Sequence, residues 1–399
     1  MAENTKMVPA VILGGHVSAI GVIRSLVVDP SIPVILVLPK NAWATSFAQF
    51  SRHIDRYYVY DQDSSIIQII KEISNEYGYN PVIYPTGTDY YVKILSRFYK
   101  NLKENCHLPL NPDNIEKVMN KKYQHKVARI LKIPVPKSIT FSTSNLDEIK
   151  SLEYPIIIKA LTRNRFGQNF RLNVLTNNTD LKKFYRNTSK IINKEFNILQ
   201  ACEVIPGADN QLYSYLAYYH QGSPKGELVG RKIFQYPKSF GQASVAENQT
   251  DFEDEVKKLG RRLMQHLNYH GLVQIEFKFD KRDKNLKLIE INPRAWSWIR
   301  LATDSGVNLP LIQYYCMIGK RWPNTIQSQK KRYYARGDFV IRNTLKRTSS
   351  DLLFIIQNIT RIGFSKFSIR DPLPEIMFLA FKFLRMLHYK GAAEEASLA

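Results

Sequence analysis

Cysteine is scarce in this 399-residue chain: only Cys106, Cys202 and Cys316, at no paired or metal-like spacing. That argues against a disulfide framework or a thiolate zinc site, and it fits a reducing compartment. No apolar run approaches the roughly 18 residues a membrane-spanning helix needs. Met1 to Lys6 is polar, where a secretory leader would need an apolar stretch. The expected location is the cytoplasm. Acid is in deficit as well: 35 Asp and Glu face 57 Lys and Arg, a net charge of +22. Such a field favours nucleic acid, an anionic membrane surface or acidic substrates, without choosing among them. Glycine is thin too. Gly14-Gly15 with Gly21 lacks the G-x-G-x-x-G spacing, and no acidic ribose partner stands about 20 residues on. The pair reads as a tight strand-to-helix turn, which argues against a dinucleotide dehydrogenase.

What is present divides the chain into three. Apolar residues are 44% and charged residues 23%, a globular balance, and the length calls for two or three subdomains. Residues Val8 to Leu13, Ile32 to Leu38 and Pro81 to Pro85 read as strands, alternating with helices at Val17 to Val28 and Tyr90 to Leu102. Strands alternating with helices predict a doubly wound parallel α/β sheet over residues 1–118. Its ligands would lie beyond the strands' carboxyl ends, at Gly14, Gly15, Thr86, Thr88 and Asp89. Residues 119–322 read as an α+β unit with mostly antiparallel strands. Residues 323–399 form a basic, apolar-rich helical extension. Between 330 and 390, thirteen Lys and Arg meet four acids, and Gly391 to Ala399 reads as a disordered tail. The extension suits packing on the other two units or a second subunit, an anionic membrane interface, or nucleic acid.

Chemistry concentrates near the end of the second unit. Glu290 and Asn292 alternate onto one face of a strand, and Glu276 joins them if its strand pairs antiparallel. Two carboxylates and an amide oxygen suit Mg²⁺, which takes few protein ligands and completes its shell with phosphates. Arg294 keeps to the same side, where a planar guanidinium could clamp a phosphoryl group or a developing oxyanion. Lys159 ends a very apolar strand, a costly place for an ammonium unless an anion receives it. The polar stretch Thr162 to Asn169 behind it could close over phosphates. Lys121, at a helix start, and Arg231-Lys232 add cationic reach, and Glu203 stands at a strand exit where a backbone edge could read adenine.

The order of these segments resembles the ATP-grasp superfamily. Lys121, Ile133-Pro134-Val135-Pro136, Pro155 to Lys159, Glu203-Val204-Ile205-Pro206-Gly207, Gly230-Arg231-Lys232, Gly271 to Phe277 and Glu290 to Arg294 carry the likeness over residues 8–322. Within the superfamily the chain looks like the carboxylate–amine ligases, including D-aspartate ligase-like and cell-surface-polymer-associated members. The resemblance implies ATP with Mg²⁺, Mn²⁺ being an alternative. Lys121 and Lys159 would contact phosphates, and Glu203 would be the hinge acid beside an adenine-binding backbone at Val204 and Ile205. Asp209 would face the ribose. Glu276, Glu290 and Asn292 would hold metal, Arg294 would meet the acylphosphate, and Lys232 would touch phosphate. Asn120 and Cys202 replace a frequent Asp and Gln, and Gly167 is the single glycine of the loop after Lys159. The implied function is an amide-forming ligase that releases ADP and phosphate, joining a small or polymer-linked carboxylate to an amine such as an amino acid. Cell-envelope synthesis at the inner face of the membrane fits, and a homo-oligomer is open. The alternatives are a non-catalytic nucleotide-binding protein and a nucleic-acid-binding protein. His16, Asp89 and Arg24 are candidates for a base, and Trp296, Trp298 and Arg300 for either substrate lining or packing.

Overall fold

A computed structural model describes residues 7–43, 46–141, 146–160, 173–192, 199–236, 241–248, 251–322, 330–337, 349–364 and 368–381. Strands β1 (Ala10–Leu13), β2 (Val34–Pro39), β3 (Arg56–Tyr60) and β4 (Val82–Pro85) form a parallel sheet in the order β3-β2-β1-β4. Alternation gives that sheet two apolar faces. Val11, Leu13, Ile35, Val37 and Ile83 pack with Ile66, Ile70 and Ile73 of the helix Ser65–Tyr77. Ala10, Ile12, Val34, Leu36 and Tyr84 pack with Ile20, Ile23 and Leu26 of the helix Val17–Leu26. The sheet is therefore doubly wound, as expected. Gly14 and Gly15 serve packing: a Cβ on Gly14 (φ 99°) would lie 2.8 Å from Tyr91, and one on Gly15 would lie 1.9 Å from Ser46 Oγ. The helix expected from Tyr90 to Leu102 is two, Asp89–Arg97 and Tyr99–Leu102.

A second, antiparallel sheet holds β5 (Ser138–Phe141), β6 (Ile156–Ala160), β7 (Asn173–Leu175) and β8 (Leu199–Glu203), in the order β5-β8-β6-β7. Ile156, Ile158, Leu199 and Ala201 form its core side. Lys159, Gln200 and Cys202 alternate to the other side. The third sheet has seven strands: β9 (Leu212–His220), β10 (Ser223–Tyr236), β11 (Gln242–Glu247), β12 (Gly271–Asp280), β13 (Asn285–Asn292), β14 (Tyr333–Ala335) and β15 (Ile362–Phe364). They run β13-β12-β9-β10-β11-β14-β15. One face takes the helix Glu253–His266, whose Val256, Leu259, Leu263 and Met264 cluster with Tyr213, Tyr215 and Tyr219 of β9. Burial of each such aliphatic contributes about 1.5–3 kcal/mol. Gly260 allows the approach, since a Cβ there would lie 2.4 Å from the Tyr215 ring.

Residues beyond 322 are not set apart as the reading of a separate extension had them. β14 pairs with β11, and β15 pairs with β14, so both extend the seven-stranded sheet. The segment 368–381 docks on the first domain. Buried Asp371 accepts from Arg24 Nε at 3.2 Å, Ser51 Oγ at 2.9 Å and the Arg52 N–H at 3.0 Å. Phe378 meets the Phe47 ring edge-on, and Phe381 lies tilted against Phe50. An ion pair and two ring contacts explain the docking: Arg24 is buried, and a buried guanidinium requires a carboxylate. The expected tail, Gly391 to Ala399, and the loop with Gly167 lie outside the described residues.

Candidate functional site

The candidate site lies on the face of β12 and β13 opposite the helix Glu253–His266. Along β12, Val273, Ile275 and Phe277 point into the core, so Gln274, Glu276 and Lys278 point away from it. The two strands pair antiparallel, with Gln274 opposite Asn292 and Glu276 directly opposite Glu290. Immediately beyond, the register shifts: Phe277 pairs with Leu288, leaving Ile289 as an extra residue. This bulge reverses the parity of β13. Leu286 and Leu288 thus enter the core, while Glu290 and Asn292, also even-numbered, face the other way.

Two like-charged carboxylates side by side repel one another, and each is balanced by a lysine from another element. Lys121 Nζ lies 2.9 Å from Glu290 Oε1. Lys232 Nζ, on β10, lies 3.0 Å from Glu276 Oε1 and 3.2 Å from Oε2. Lys121 is held there by its helix, Lys121–Ile130. Asn120 caps that helix, its Oδ1 accepting from the N–H groups of Lys122 and Tyr123 at 3.0 and 3.2 Å. Asn120 thereby does the capping an aspartate would do. Buried Gln124 then fixes the helix to the outer edge of β13, donating to the Ile291 carbonyl at 2.9 Å and accepting its N–H at 3.0 Å.

Arg294 follows β13 through Pro293. Its Nη2 donates to Asn292 Oδ1 at 3.2 Å, its Nη1 to the Ala295 carbonyl at 3.2 Å, and its Nε to Asp89 Oδ1 at 2.8 Å. Ala295 forms a parallel bridge to Thr86, so the end of β4 is stitched to the chain just after the arginine. Of the three residues considered as bases, only Asp89 reaches this group. Arg24 is buried against Asp371, and exposed His16 lies beside the Phe47 ring.

Lys159 stands on the facing sheet, paired across to Gln200. Both Lys159 and Lys121 act on His125: burial first, then the charges of Lys159, Arg129 and Lys121, push its pKa down to about 4. The two lysines therefore converge on one basic region. A recess of about 310 Å³ beside His125 is lined by Lys122, Arg129, Ser138, Ile139, Thr140 and Gln200, with one acid, Glu148, among them. Cys202 is buried on the same side of the sheet, and desolvation raises its pKa.

The residues expected at the hinge make contacts within the protein. The Glu203 carboxylate is buried and accepts the Glu153 N–H at 3.0 Å, which ties β8 to the entry of β6. The Val204 N–H donates to the Pro155 carbonyl at 2.9 Å, and Ile205 is buried. Asp209 accepts from the N–H and Nε2 of Gln235 at 2.9 and 3.0 Å. Trp296 and Trp298 are buried in the core, in ring contact with each other, and Arg300 pairs with Asp304. Packing, not lining, is their role.

Three residues of this region were not singled out from the sequence. Gln274 Nε2 donates to Glu276 Oε1 at 3.2 Å, and its Oε1 accepts from Asn292 Nδ2 at 3.5 Å. Lys278 donates to the Gly207 carbonyl at 3.2 Å, with burial lowering its pKa. Gln124 is the third. Gln274 and Lys278 alternate with Glu276, and that alternation was the available sign.

A family model described as "ATP-grasp in the biosynthetic pathway with Ter operon" matches residues 231–336, the span holding Lys232, Glu276, Glu290, Asn292 and Arg294. A D-aspartate ligase of Enterococcus faecium is 20% identical over 233 residues, covering 55% of each chain. The match thus spans about half the length of that relative. Among solved structures, an N5-carboxyaminoimidazole synthetase from Staphylococcus aureus superposes with a TM-score of 0.62 at 15% identity, covering 86% of each chain. An L-amino acid ligase from Bacillus licheniformis gives 0.58 at 14% identity, covering 78% of this chain and 74% of that one. The biotin carboxylase domain of the Hydrogenobacter thermophilus 2-oxoglutarate carboxylase, in complex with MgADP, ADP and bicarbonate, gives 0.62 at 16% identity, covering 82% and 73%. The matched segment and the shared fold make this chain similar to proteins of the ATP-grasp type.

Proposed function

We propose that the chain is an ATP-dependent carboxylate–amine ligase. One observation carries the reading: Glu276, Glu290 and Asn292 share a face, and Lys232, Lys121 and Arg294 each contact one of them. Such a face suits an anionic nucleotide and a hard cation together. The donors fit Mg²⁺, being two carboxylates and an amide oxygen and nothing soft. Among the described residues no group of three or more His, Cys, Asp or Glu is placed to hold a metal by itself. That agrees with an ion completed by phosphate and water. Glu276, Glu290 and Asn292 would hold it, and it would supply charge neutralisation and alignment of the phosphates. Mn²⁺ satisfies the same donors.

In this reading Lys121, Lys159 and Lys232 carry the phosphate charge. The segment at Glu203, Val204 and Ile205 borders the adenine. Because the Val204 N–H is taken by Pro155, adenine would be read by the carbonyls there and by the Ile205 N–H. Asp209 faces the ribose with Lys278 beside it. A carboxylate oxygen attacks the γ-phosphorus and the bond to ADP breaks. An amine nitrogen then attacks the acyl carbon of the acylphosphate, and phosphate leaves as the amide forms. Arg294 neutralises the acylphosphate oxygens. Positioning and charge do most of the work in such transfers. The names of two similar proteins, a D-aspartate ligase and an L-amino acid ligase, favour an amino acid as one substrate. The test is ADP and phosphate release from MgATP with a panel of amino acids and carboxylic acids, products being read by mass spectrometry. Glu290→Ala and Asn292→Ala should each lower turnover at least about 100-fold. Unchanged turnover in both would defeat the assignment.

We further propose that the C-terminal region rests on an anionic membrane surface. The supporting observation is two exposed apolar stripes amid basic residues, Leu353, Ile356 and Ile359, and Ile369, Leu373 and Ile376. No helix among the described residues is long and apolar enough to cross a membrane. Since β14 and β15 belong to the large sheet, the test keeps the whole chain. Ile369, Leu373 and Ile376 are replaced together by Ser, and sedimentation with phosphatidylglycerol vesicles is compared. Equal binding would sink the idea.

A further inference from the structure

The geometry points to Asp89 as the residue that positions Arg294, an inference that rests on the ligase reading above. A guanidinium has five N–H donors. Three contacts of Arg294 are fixed, at Nε by Asp89, at Nη1 by the Ala295 carbonyl and at Nη2 by Asn292. One N–H on each terminal nitrogen is left over, a pair suited to two oxygens of one phosphate or acyl phosphate. Of the three contacts, only the one to Asp89 comes from another domain and from a full negative charge. The Arg294 and Asp89 side chains are 10% and 34% exposed, so the pair is partly shielded from water at the arginine end.

Asp89 is itself placed by structure. It is the first residue of the helix Asp89–Arg97, where the helix dipole favours a carboxylate, and Thr88 caps that helix. The bridge between Thr86 and Ala295 holds the two chain segments in register three residues away. Tyr269 lies close enough to sense both charges, but its hydroxyl is committed to the Leu272 carbonyl at 2.9 Å. The first domain therefore contributes an orienting anion to the reaction centre. Without it, Arg294 would keep its charge and lose the contact that sets the plane of the guanidinium. Anions would still be attracted, but the terminal nitrogens would no longer be aimed.

Two variants separate positioning from bulk stability. Asp89→Ala should lower kcat about 10- to 100-fold, the scale of a misplacement near 1 Å, while the KM for ATP moves less than about 3-fold. Asp89→Asn keeps an oxygen acceptor for Nε and should recover most of the loss. An independent readout is the Arg294 Nε–H resonance, assigned by its disappearance in Arg294→Lys. It should be sharp in wild type and Asp89→Asn, and broadened by exchange with water in Asp89→Ala. An Asp89→Ala enzyme with kcat within 2-fold of wild type, or one whose KM and melting temperature worsen in step with kcat, overturns the positioning role. A wild type that turns over no acid–amine pair sinks the ligase reading and this role with it, whereas active wild type with unimpaired Asp89→Ala sinks this role alone.

Discussion

Removing Lys232 should do more harm than removing both members of its ion pair. The Lys232 and Glu276 side chains are 6% and 12% exposed, and their charged atoms stand 3.0 Å apart. Breaking a pair this buried from one side leaves an uncompensated charge, at a cost of about 3–5 kcal/mol. In Lys232→Met the Glu276 carboxylate keeps one hydrogen bond, from Gln274 at 3.2 Å. The lower end, about 3 kcal/mol, is therefore expected. For a cooperative unit of 150–250 residues each kcal/mol moves the melting point ~2–4 °C, so the variant should melt ~6–12 °C below wild type. Lys232→Met/Glu276→Gln buries no net charge and should recover more than half of that deficit. Magnesium supplies a further arm. If Glu276 is a metal ligand, Mg²⁺ with ADP should raise the melting point of Lys232→Met by more than it raises wild type, because the ion replaces a missing partner. Calorimetry with and without MgADP reads all of these. A double variant as unstable as the single one would refute the argument that an unpaired carboxylate is the cause.

Other consequences are as specific. His125, held near a pKa of about 4 against an ordinary 6.5, is neutral when folded and charged when unfolded between those values. Its depressed pKa contributes stability that is present above pH 6.5 and lost as pH falls through 4, about 3 kcal/mol in all. His125→Gln should flatten the stability profile in that window; parallel profiles of the two proteins would contradict this. Asp371→Ala removes the carboxylate that Arg24, Ser51 and Arg52 share and should cost about 3 kcal/mol, with residues 368–381 becoming the first site of limited proteolysis. An unchanged digestion pattern would show that the docking is weak. Asn120→Ala removes the cap beneath Lys121 and should cost about 1 kcal/mol, measured by urea unfolding, with weaker binding of a fluorescent ATP analogue.

The sequence made some of this legible because buried strands leave continuous apolar runs. Ala10–Leu13, Val34–Pro39 and Val82–Pro85 are covered on both faces, and each was read within two residues of its bounds. β3 was missed because it is a sheet edge: Arg56 to Tyr60 exposes most of its side chains, so no apolar pattern marks it. The helix after it was not singled out either, although Ile66, Ile69, Ile70 and Ile73 stand at helical spacing. β11, β14 and β15 owe their strand state to neighbours more than to their residues. Gln242 to Glu247 is polar and small, and the other two strands have three residues each. That is why the chain beyond 322 read as an appendage: its attachment lies in sheet pairing and in one buried carboxylate, Asp371, neither of which has a sequence pattern. At the candidate site, alternation put Glu290 with Asn292 and made Glu276 conditional on antiparallel pairing, which the strands have. The bulge at Ile289 could not be read, since strict alternation carries Leu288 to the same face as Glu290.

These ion pairs have a common electrostatic sense. Before any ligand arrives, Lys121 neutralises Glu290, Lys232 neutralises Glu276, and Asp89 neutralises Arg294. The Lys232–Glu276 pair is the most buried of the three, and breaking it from one side costs the most. A nucleotide by itself would draw the two lysines toward phosphate and leave two adjacent carboxylates repelling one another. A divalent cation by itself would occupy the carboxylates and leave two ammonium groups without anions. The two together exchange both lysine–carboxylate pairs for external ones and leave no like charges facing each other unpaired. Nucleotide and metal should therefore bind cooperatively to this face, each tightening the other by the same factor, as linkage requires. Arg294 shares Asn292 Oδ1 with the proposed metal, but its contact to Asp89 is outside that exchange, because this carboxylate belongs to the first domain. It stays oriented while the lysines change partners, which is what a contact reserved for the reacting group needs.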